Sequence, residues 1–367
     1  MASPTSLGEV IAQHTKEGTL YDKLPDNKVH CYACGHNCTI YDGHVGICRV
    51  RANKGGTLYV PHGYVGALQC DPIEKKPFFH AYPATDALSF GMLGCDFHCS
   101  YCQNWSTSQT LRDPNAGAPL LECTAEELVD MAEERGARVV ASTYNEPLIT
   151  SEWALEVFQE AKKRGYATAY ISNGNGTPRV LDFLRPWVDL YKVDLKGFDE
   201  KHYRELGGQL SHVLETIGML YEKKFWLEIV TLVVPGFNDS EVELRKIAKF
   251  LAGISRDIPW HVTAFHQDYK MMDRENTQAK QLIRGCEDGA EEGLRYIYAG
   301  NLPGRVGRWE HTYCPNCGKA VVERVGFRVT GYSLVDGKCP KCSTAIPGIW
   351  EKPDLTRATR GFVVPLK

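Results

Sequence analysis

Three cysteines stand within eight residues in the run Cys95-Asp-Phe-His-Cys99-Ser-Tyr101-Cys102. Their spacing is C-x3-C-x2-C, and a loop this short brings three thiolates together at one point. Three thiolates suit three corners of an iron–sulfur cube better than a tetrahedral zinc, which takes four ligands. The fourth corner is left to a small molecule, and open coordination is what a catalytic metal needs.

Two other cysteine groups flank this loop. Cys31, Cys34, Cys38 and Cys48 fall within 18 residues, among Gly35, Gly43 and Gly46. They are expected to wrap one metal, either zinc or an auxiliary iron–sulfur cluster, with a structural ion favoured and His36 or His44 as alternative ligands. Cys314-Pro-Asn-Cys317 and Cys339-Pro-Lys-Cys342 form two C-P-x-C knuckles around residues 320–329, which read as a hairpin. That pattern predicts a closed four-thiolate zinc ribbon that folds and docks a domain too small for its own core. The three groups take 11 of the 14 cysteines. Cys123 and Cys286, outside them, read as buried small hydrophobes.

Composition narrows the setting. At 367 residues the chain holds one large domain and one or two small ones, and 43% hydrophobic with 24% charged residues is ordinary for a globular enzyme. A net charge of −3 gives no basic field, so nucleic acid is not an expected partner. No apolar run reaches the ~20 residues that span a bilayer, so no membrane is expected either. The first eight residues lack the charged start and apolar core of a signal peptide. A cytoplasmic protein whose paired cysteines hold metal, not disulfides, is expected.

The elements that must position the cysteine loop alternate in type. Strands are expected over 87–92, 138–143, 166–172, 188–194, 226–234, 259–265 and 295–299, with helices over 124–136, 151–165, 211–224 and 239–253. Thr124 and Glu127 make a capping box, and Gly136 marks that helix's end. Repeated strand–helix units predict an α/β fold in which a parallel sheet, joined by right-handed crossovers, closes into a full or partial barrel. The expected organisation is an N-terminal cysteine-rich module with lead-in strands (1–86), a partial (β/α)6-type barrel (87–305), and the ribbon with a tail (306–367). Chemistry in such barrels sits in the loops after the strands. Those loops are polar: the cysteine loop, Thr143-Tyr-Asn145-Glu146-Pro147, Ser172-Asn173-Gly-Asn-Gly, Asp194-Leu-Lys196-Gly, Pro235-Gly-Phe-Asn-Asp, Phe265-His266-Gln and Gly300-Asn301-Leu-Pro-Gly. Lys75 and Lys76 read as an exposed pair or as ligands for a carboxylate. Trp350 and the run Phe362-Val-Val-Pro are read as docking back onto the barrel.

The barrel region resembles radical S-adenosylmethionine (radical SAM) enzymes of the pyruvate formate-lyase activating type. The whole chain resembles the radical SAM component of the AmmeMemoRadiSam system. The residues that carry this are the N-terminal cysteines, Asp71-Pro-Ile-Glu-Lys-Lys-Pro77, the cysteine loop with Gln103-Asn-Trp105, Thr143–Pro147, Gly300–Gly304 and the ribbon. The resemblance implies that Cys95, Cys99 and Cys102 hold a [4Fe–4S] cluster whose open iron chelates SAM. It implies Tyr101 against the adenine, Asn145 and Glu146 at the methionine amine, and Ser172 and Asn173 beside the SAM. It further implies Asp194 and Lys196 at ribose and carboxylate, and His266 near the ribose. The implied reaction is reductive cleavage of SAM to a 5′-deoxyadenosyl radical that abstracts hydrogen from an unidentified substrate. The implied partners are a flavodoxin- or ferredoxin-type electron donor and Memo-like proteins. Activation of a glycyl-radical enzyme is an alternative. A metal-stapled binding or scaffold protein with a structural cluster is another, from a different class. Glycyl-radical activating enzymes usually lack both the N-terminal cysteine module and the ribbon, which weakens transfer of their substrate to this chain.

Overall fold

A computed structural model describes residues 7–356 and 362–363. Residues 1–6, on which the reading of the N-terminus partly rests, and residues 364–365 of the expected docking run lie outside the described residues.

Seven parallel strands form the body of a nine-stranded sheet: β1 (Asp86–Gly91), β2 (Val139–Ser142), β3 (Ala167–Ser172), β4 (Leu190–Asp194), β5 (Trp226–Val233), β6 (Trp260–Ala264) and β7 (Ile297–Gly300). They lie in chain order, and each pairs in parallel with the next. Strand Ala67–Pro72 extends the β1 edge antiparallel, and Phe362–Val363 pairs with it in turn at Cys70 and Gln69. The backbone at 362–363 thus returns to the sheet, as the sequence suggested. The two edge strands, β7 and Phe362–Val363, do not pair with each other, so the ladder is open.

Every residue of β1, β2 and β6 is buried, which explains their near-continuous apolar runs. The helices between them are α1 (Ala125–Arg135), α2 (Ser151–Lys163), α3 (Pro178–Leu184), α4 (Leu210–Glu222), α5 (Glu241–Ile254) and α6 (Ala279–Glu291), with two short helices, Trp105–Ser108 after the cysteine loop and Glu200–Glu205 ahead of α4. The capping box on α1 is complete: Thr124 Oγ1 accepts from Glu127 N at 3.1 Å, and Glu127 returns a carboxylate oxygen to Thr124 N at 2.8 Å. Gly136 closes the helix at φ 63°. Helix α5 starts two residues later than expected. Asp239 is engaged in the preceding turn, where it accepts from Gly236 N at 2.9 Å, and Ser240 caps the helix instead.

Strands Tyr64–Val65 and Ala67–Pro72 are separated at Gly66, which approaches Leu93 so closely that a β-carbon there would lie 2.5 Å from its Cδ2. Residues 73–75, between Pro72 and Pro77, form a 3-10 turn. The N-terminal cysteines sit on and around the antiparallel strands Tyr21–Leu24, Lys28–Cys31 and Thr39–Ile40. The ribbon is Thr312–Tyr313 with the hairpin Ala320–Val325/Arg328–Tyr332. Trp350 packs against His80 at 5.1 Å between ring centroids and donates its indole N–H to Ile346 O at 2.7 Å. Cys123 and Cys286 are buried.

Candidate active site

One cavity of about 370 Å³ opens where the strands end. It collects the cysteine loop after β1, the Thr143–Glu146 segment after β2, Ser172 and Asn173 at the end of β3, and Asp194 and Lys196 at the end of β4. Side chains from β5 and β6 (Val230, Leu232, Thr263) and Asn301 after β7 complete the wall, so the open sheet wraps around this space.

The cysteine loop is fixed from several directions. Arg112 donates to Cys95 O at 2.6 Å, and Gln109 to Phe97 O at 3.2 Å. His98 N bonds Leu206 O at 2.9 Å, and Gly208 leaves room for Phe97, whose ring a β-carbon would meet at 2.2 Å. Phe97 N points at Cys95 Sγ at 3.4 Å, and Ser108 Oγ lies 3.2 Å from Cys102 Sγ. Burial pushes the Cys99 thiol up to about 12 and the Cys95 thiol well above its ordinary value. A bound cation is what would hold these groups as thiolates.

Glu146 is buried, with Oε1 accepting from Ser172 Oγ at 2.7 Å and Oε2 from Asn173 N at 2.7 Å. Burial, reinforced by the nearby Asp96 carboxylate, raises its pKa. A carboxylate so placed favours an arriving ammonium group. Asn145 Oδ1 accepts from Met92 N at 3.0 Å and locks the end of β1 to the loop after β2. Asp194 pairs with Lys192, a buried lysine inside β4, while Lys196 Nζ stands 3.9 Å from the second Asp194 oxygen. Tyr101 is buried against Phe237 at 5.7 Å between centroids, and its hydroxyl has no hydrogen-bond partner among the described residues.

These residues fit the group that the cysteine loop implies. One buried and two half-buried thiols open onto a cavity that also holds an unpartnered phenol, a buried carboxylate and a lysine. Of the expected SAM contacts, Tyr101, Asn145, Glu146, Ser172, Asn173, Asp194 and Lys196 all line the cavity. His266 does not. The loop after β6 is turned by Thr277, which accepts from Phe265 N at 3.1 Å and donates to Val233 O at 2.6 Å, and the His266 ring is left exposed beside Gln267 O.

Other members join the site, of which Asp96, Lys192 and Phe327 were not foreseen. Asp96 accepts from Asn173 and Asn175, both at 2.8 Å, and lies 4.0 Å from His36 Nε2. Lys76 lines the cavity, buried between Asp71 at 3.2 Å and Tyr144 OH at 2.8 Å, and burial lowers its pKa to about 8. Phe327, at the turn of the ribbon hairpin, also reaches the cavity. A charge in the middle of an apolar strand was the available signal for Lys192. Nothing in the sequence distinguishes Asp96 from any other acid beside a cysteine.

The family comparison agrees with this geometry. Residues 91–248 match the pattern of the radical SAM superfamily, a span that runs from the end of β1 into α5 and includes every cavity residue from the loops after β1 to β4. The chain belongs to the radical SAM superfamily. Among its relatives, the uncharacterized protein MJ0808 of Methanocaldococcus jannaschii is 37% identical over 335 residues, covering 90% of this chain and 98% of that one. The pyruvate formate-lyase-activating enzyme of Staphylococcus epidermidis is 28% identical over 188 residues, 47% of this chain and 72% of that one. A crystallised domain of a pyruvate-formate lyase-activating enzyme from Bacteroides vulgatus aligns over 44% of this chain and 98% of its own with a TM-score of 0.40 and 20% identity. The radical SAM match ends well before the ribbon.

The ribbon forms a separate centre. The sulfurs of Cys314, Cys317, Cys339 and Cys342 all lie within 4.8 Å of one another, with Cys314–Cys342 at 3.5 Å and Cys317–Cys339 at 3.6 Å. Four sulfurs bonded at ~2.3 Å to one tetrahedral ion stand about 3.8 Å apart. The spacing fits a single ion. No helix among the described residues is long and apolar enough to cross a membrane.

Proposed function

We propose that this protein is an enzyme that cleaves SAM reductively and abstracts hydrogen from a substrate held in the same cavity. The observation that carries the reading is the opening of Cys95, Cys99 and Cys102 onto a space also lined by Glu146, Asp194, Lys196 and Tyr101. A [4Fe–4S] cluster on the three cysteines supplies one electron that splits the S–C5′ bond of SAM into methionine and a 5′-deoxyadenosyl radical.

The chain's own residues do the positioning. Glu146 takes the ammonium of SAM, Lys196 its carboxylate, Asp194 a ribose hydroxyl and Tyr101 the adenine. The buried walls of β1 to β6, arranged as a partial barrel, keep water from the radical. The proposed organisation is a cysteine-rich module over 1–86, the barrel over 87–305 and a zinc ribbon over 306–367. A low-potential donor of the flavodoxin or ferredoxin type supplies the electron, and Memo-like proteins are candidate partners. A cytoplasmic setting suits reduced cysteines.

The test is anaerobic reconstitution with iron and sulfide, then addition of dithionite and SAM. 5′-Deoxyadenosine is the expected product, and Cys99→Ala is expected to abolish it. Full cleavage by Cys99→Ala would overturn the assignment.

Activation of a glycyl-radical enzyme is the second reading, favoured by the relatedness to the activating enzyme of S. epidermidis. Its signature is a glycyl radical, seen by electron paramagnetic resonance, on a partner protein mixed with this one and SAM.

A further inference from the structure

The N-terminal cysteines and the ribbon each supply four thiols, yet they are arranged differently. Among the described residues, the ribbon is the one group of three or more His, Cys, Asp or Glu whose ligand atoms approach within 4.8 Å of one another. No three of Cys31, Cys34, Cys38 and Cys48 come that close, and neither do the three sulfurs of the cysteine loop. One ion draws its thiolates to a common centre, whereas a cube gives each iron its own thiolate and sets the sulfurs farther apart. The N-terminal set is therefore not drawn to a common centre as the ribbon is.

The four thiols nonetheless surround one place. Cys31 N donates to Cys38 O at 2.9 Å, and a β-carbon on Gly46, two residues before Cys48, would lie 3.7 Å from Cys38 Sγ. Arg51 is fully buried beside Cys31 and Cys48, where its positive charge offsets negative charge collected on the thiolates. Its bidentate bonds to Glu152, at 2.7 and 2.8 Å, fix it to the start of α2. Cys31, Cys34 and Cys48 are buried, while Cys38 is half-exposed, so the site has one outward side.

Its inward side is the cysteine loop. A β-carbon on Gly94 would lie 3.2 Å from Cys48 O, and Cys95 is the next residue, one Cα step of about 3.8 Å away. Arg112 bridges the two sites, donating to Ile47 O and to Cys95 O, both at 2.6 Å. Asp96 bridges them again, between Asn173 and His36, whose Nε2 is buried with no hydrogen-bond partner.

We propose that Cys31, Cys34, Cys38 and Cys48 hold a second iron–sulfur cluster, one cysteine to each iron, that passes single electrons to the cluster site at Cys95. The role as a relay rests on the SAM-cleaving reading above; the metal assignment does not. One electron enters from a low-potential one-electron donor on the Cys38 side. It leaves toward Cys95 and ends in the S–C5′ bond of SAM, so each turnover returns the second cluster to its starting state with no proton moved. A second cluster is the redox alternative of the two that the sequence left open, where a structural ion was favoured.

The test compares reconstituted wild type, Cys99→Ala and Cys34→Ser/Cys48→Ser by iron, sulfide and zinc content and by electron paramagnetic resonance of the reduced protein with and without SAM. Wild type is expected to hold about eight irons and eight sulfides per chain. Each variant is expected to hold about four of each. The signal left in Cys34→Ser/Cys48→Ser should respond to SAM, and the signal left in Cys99→Ala should not. With reduced flavodoxin as donor, Cys34→Ser/Cys48→Ser should form 5′-deoxyadenosine at least tenfold more slowly than wild type, its SAM-responsive signal proving the first site intact. About four irons and two zincs in wild type would overturn the assignment even if the double variant fails to fold. Equal flavodoxin-driven rates would overturn the relay. Eight irons with no SAM cleavage would overturn the reading of the main site and leave the second cluster standing.

Discussion

Asn173 donates its side-chain amide to Asp96 Oδ1 at 2.8 Å, tying the loop after β3 to the cysteine loop after β1. Asn175 does the same to Oδ2 at 2.8 Å, so one carboxylate holds two loops that carry different parts of the site. Asp96→Ala leaves two buried amides unsatisfied, at a cost of roughly 2 to 6 kcal/mol. The expected result is a reconstituted protein that keeps less than half of the wild-type cluster absorbance after gel filtration. Wild-type retention would mean that the cysteine loop is held by Arg112 and Gln109 without help from Asp96.

Lys196 is available to a ligand because Asp194 already has Lys192. Lys196→Met therefore removes a cation from the cavity without leaving Asp194 unpaired. The dissociation constant for SAM, measured by equilibrium dialysis on reconstituted protein, is expected to rise at least tenfold, or about 1.4 kcal/mol. An unchanged constant would show that the carboxylate of SAM is held elsewhere.

The ribbon is bound into the fold through a buried cation. Arg324 donates to Phe79 O at 2.6 Å and to Thr312 Oγ1 at 2.9 Å, and its guanidinium lies 4.4 Å from the Phe79 ring centroid. Cys314→Ser/Cys342→Ser is expected to lose one zinc per chain and at least about 5 °C of melting temperature, while the iron–sulfur absorbance stays at the wild-type level. Loss of that absorbance as well would mean that the ribbon supports the main cluster directly.

What the sequence revealed follows from where the signal lies. The seven parallel strands were legible because burial on both faces writes long apolar runs, and the cysteine loop because ligand spacing is local. Glu146, Asp194 and Lys196 were legible once the strands were placed, since each directly follows a strand's end. Glu228 was not. It lies within β5 and accepts from Phe79 N, His80 N, Trp226 Nε1 and His261 Nε2, donors drawn from two distant parts of the chain and one near neighbour. His266 lies outside the cavity because a polar residue after a strand need not face inward, and the hydrogen bonds of Thr277 that turn its loop are not written in the adjacent residues. The arrangement of the N-terminal thiols is likewise a property of tertiary geometry, since C-x2-C suits one ion or several.

Glu74 gives a prediction about pH. It is buried at the 3-10 turn, with Oε1 accepting from Ala84 N at 2.9 Å and Oε2 without a hydrogen-bond partner among the described residues. Burial raises its pKa from 4.5 to about 7, with Asp86 adding to the rise and Arg324 and Ala84 N–H opposing it. The folded state therefore keeps a proton that the unfolded state has lost above its ordinary pKa. Stability from this group is fully present below about 4.5 and is lost as pH rises through about 7. Glu74→Gln keeps an acceptor for Ala84 and has no proton to lose. Between pH 5 and pH 8 the melting temperature of wild type should fall relative to Glu74→Gln by several degrees, as expected for one to three kcal/mol (about one pKa step to slightly over two). Any constant offset, such as poor accommodation of the new amide, cancels in that comparison, so the slope alone carries the test. A difference that stays flat from pH 5 to pH 8 would mean that Glu74 is ionised in the folded protein, with Arg324 outweighing its burial.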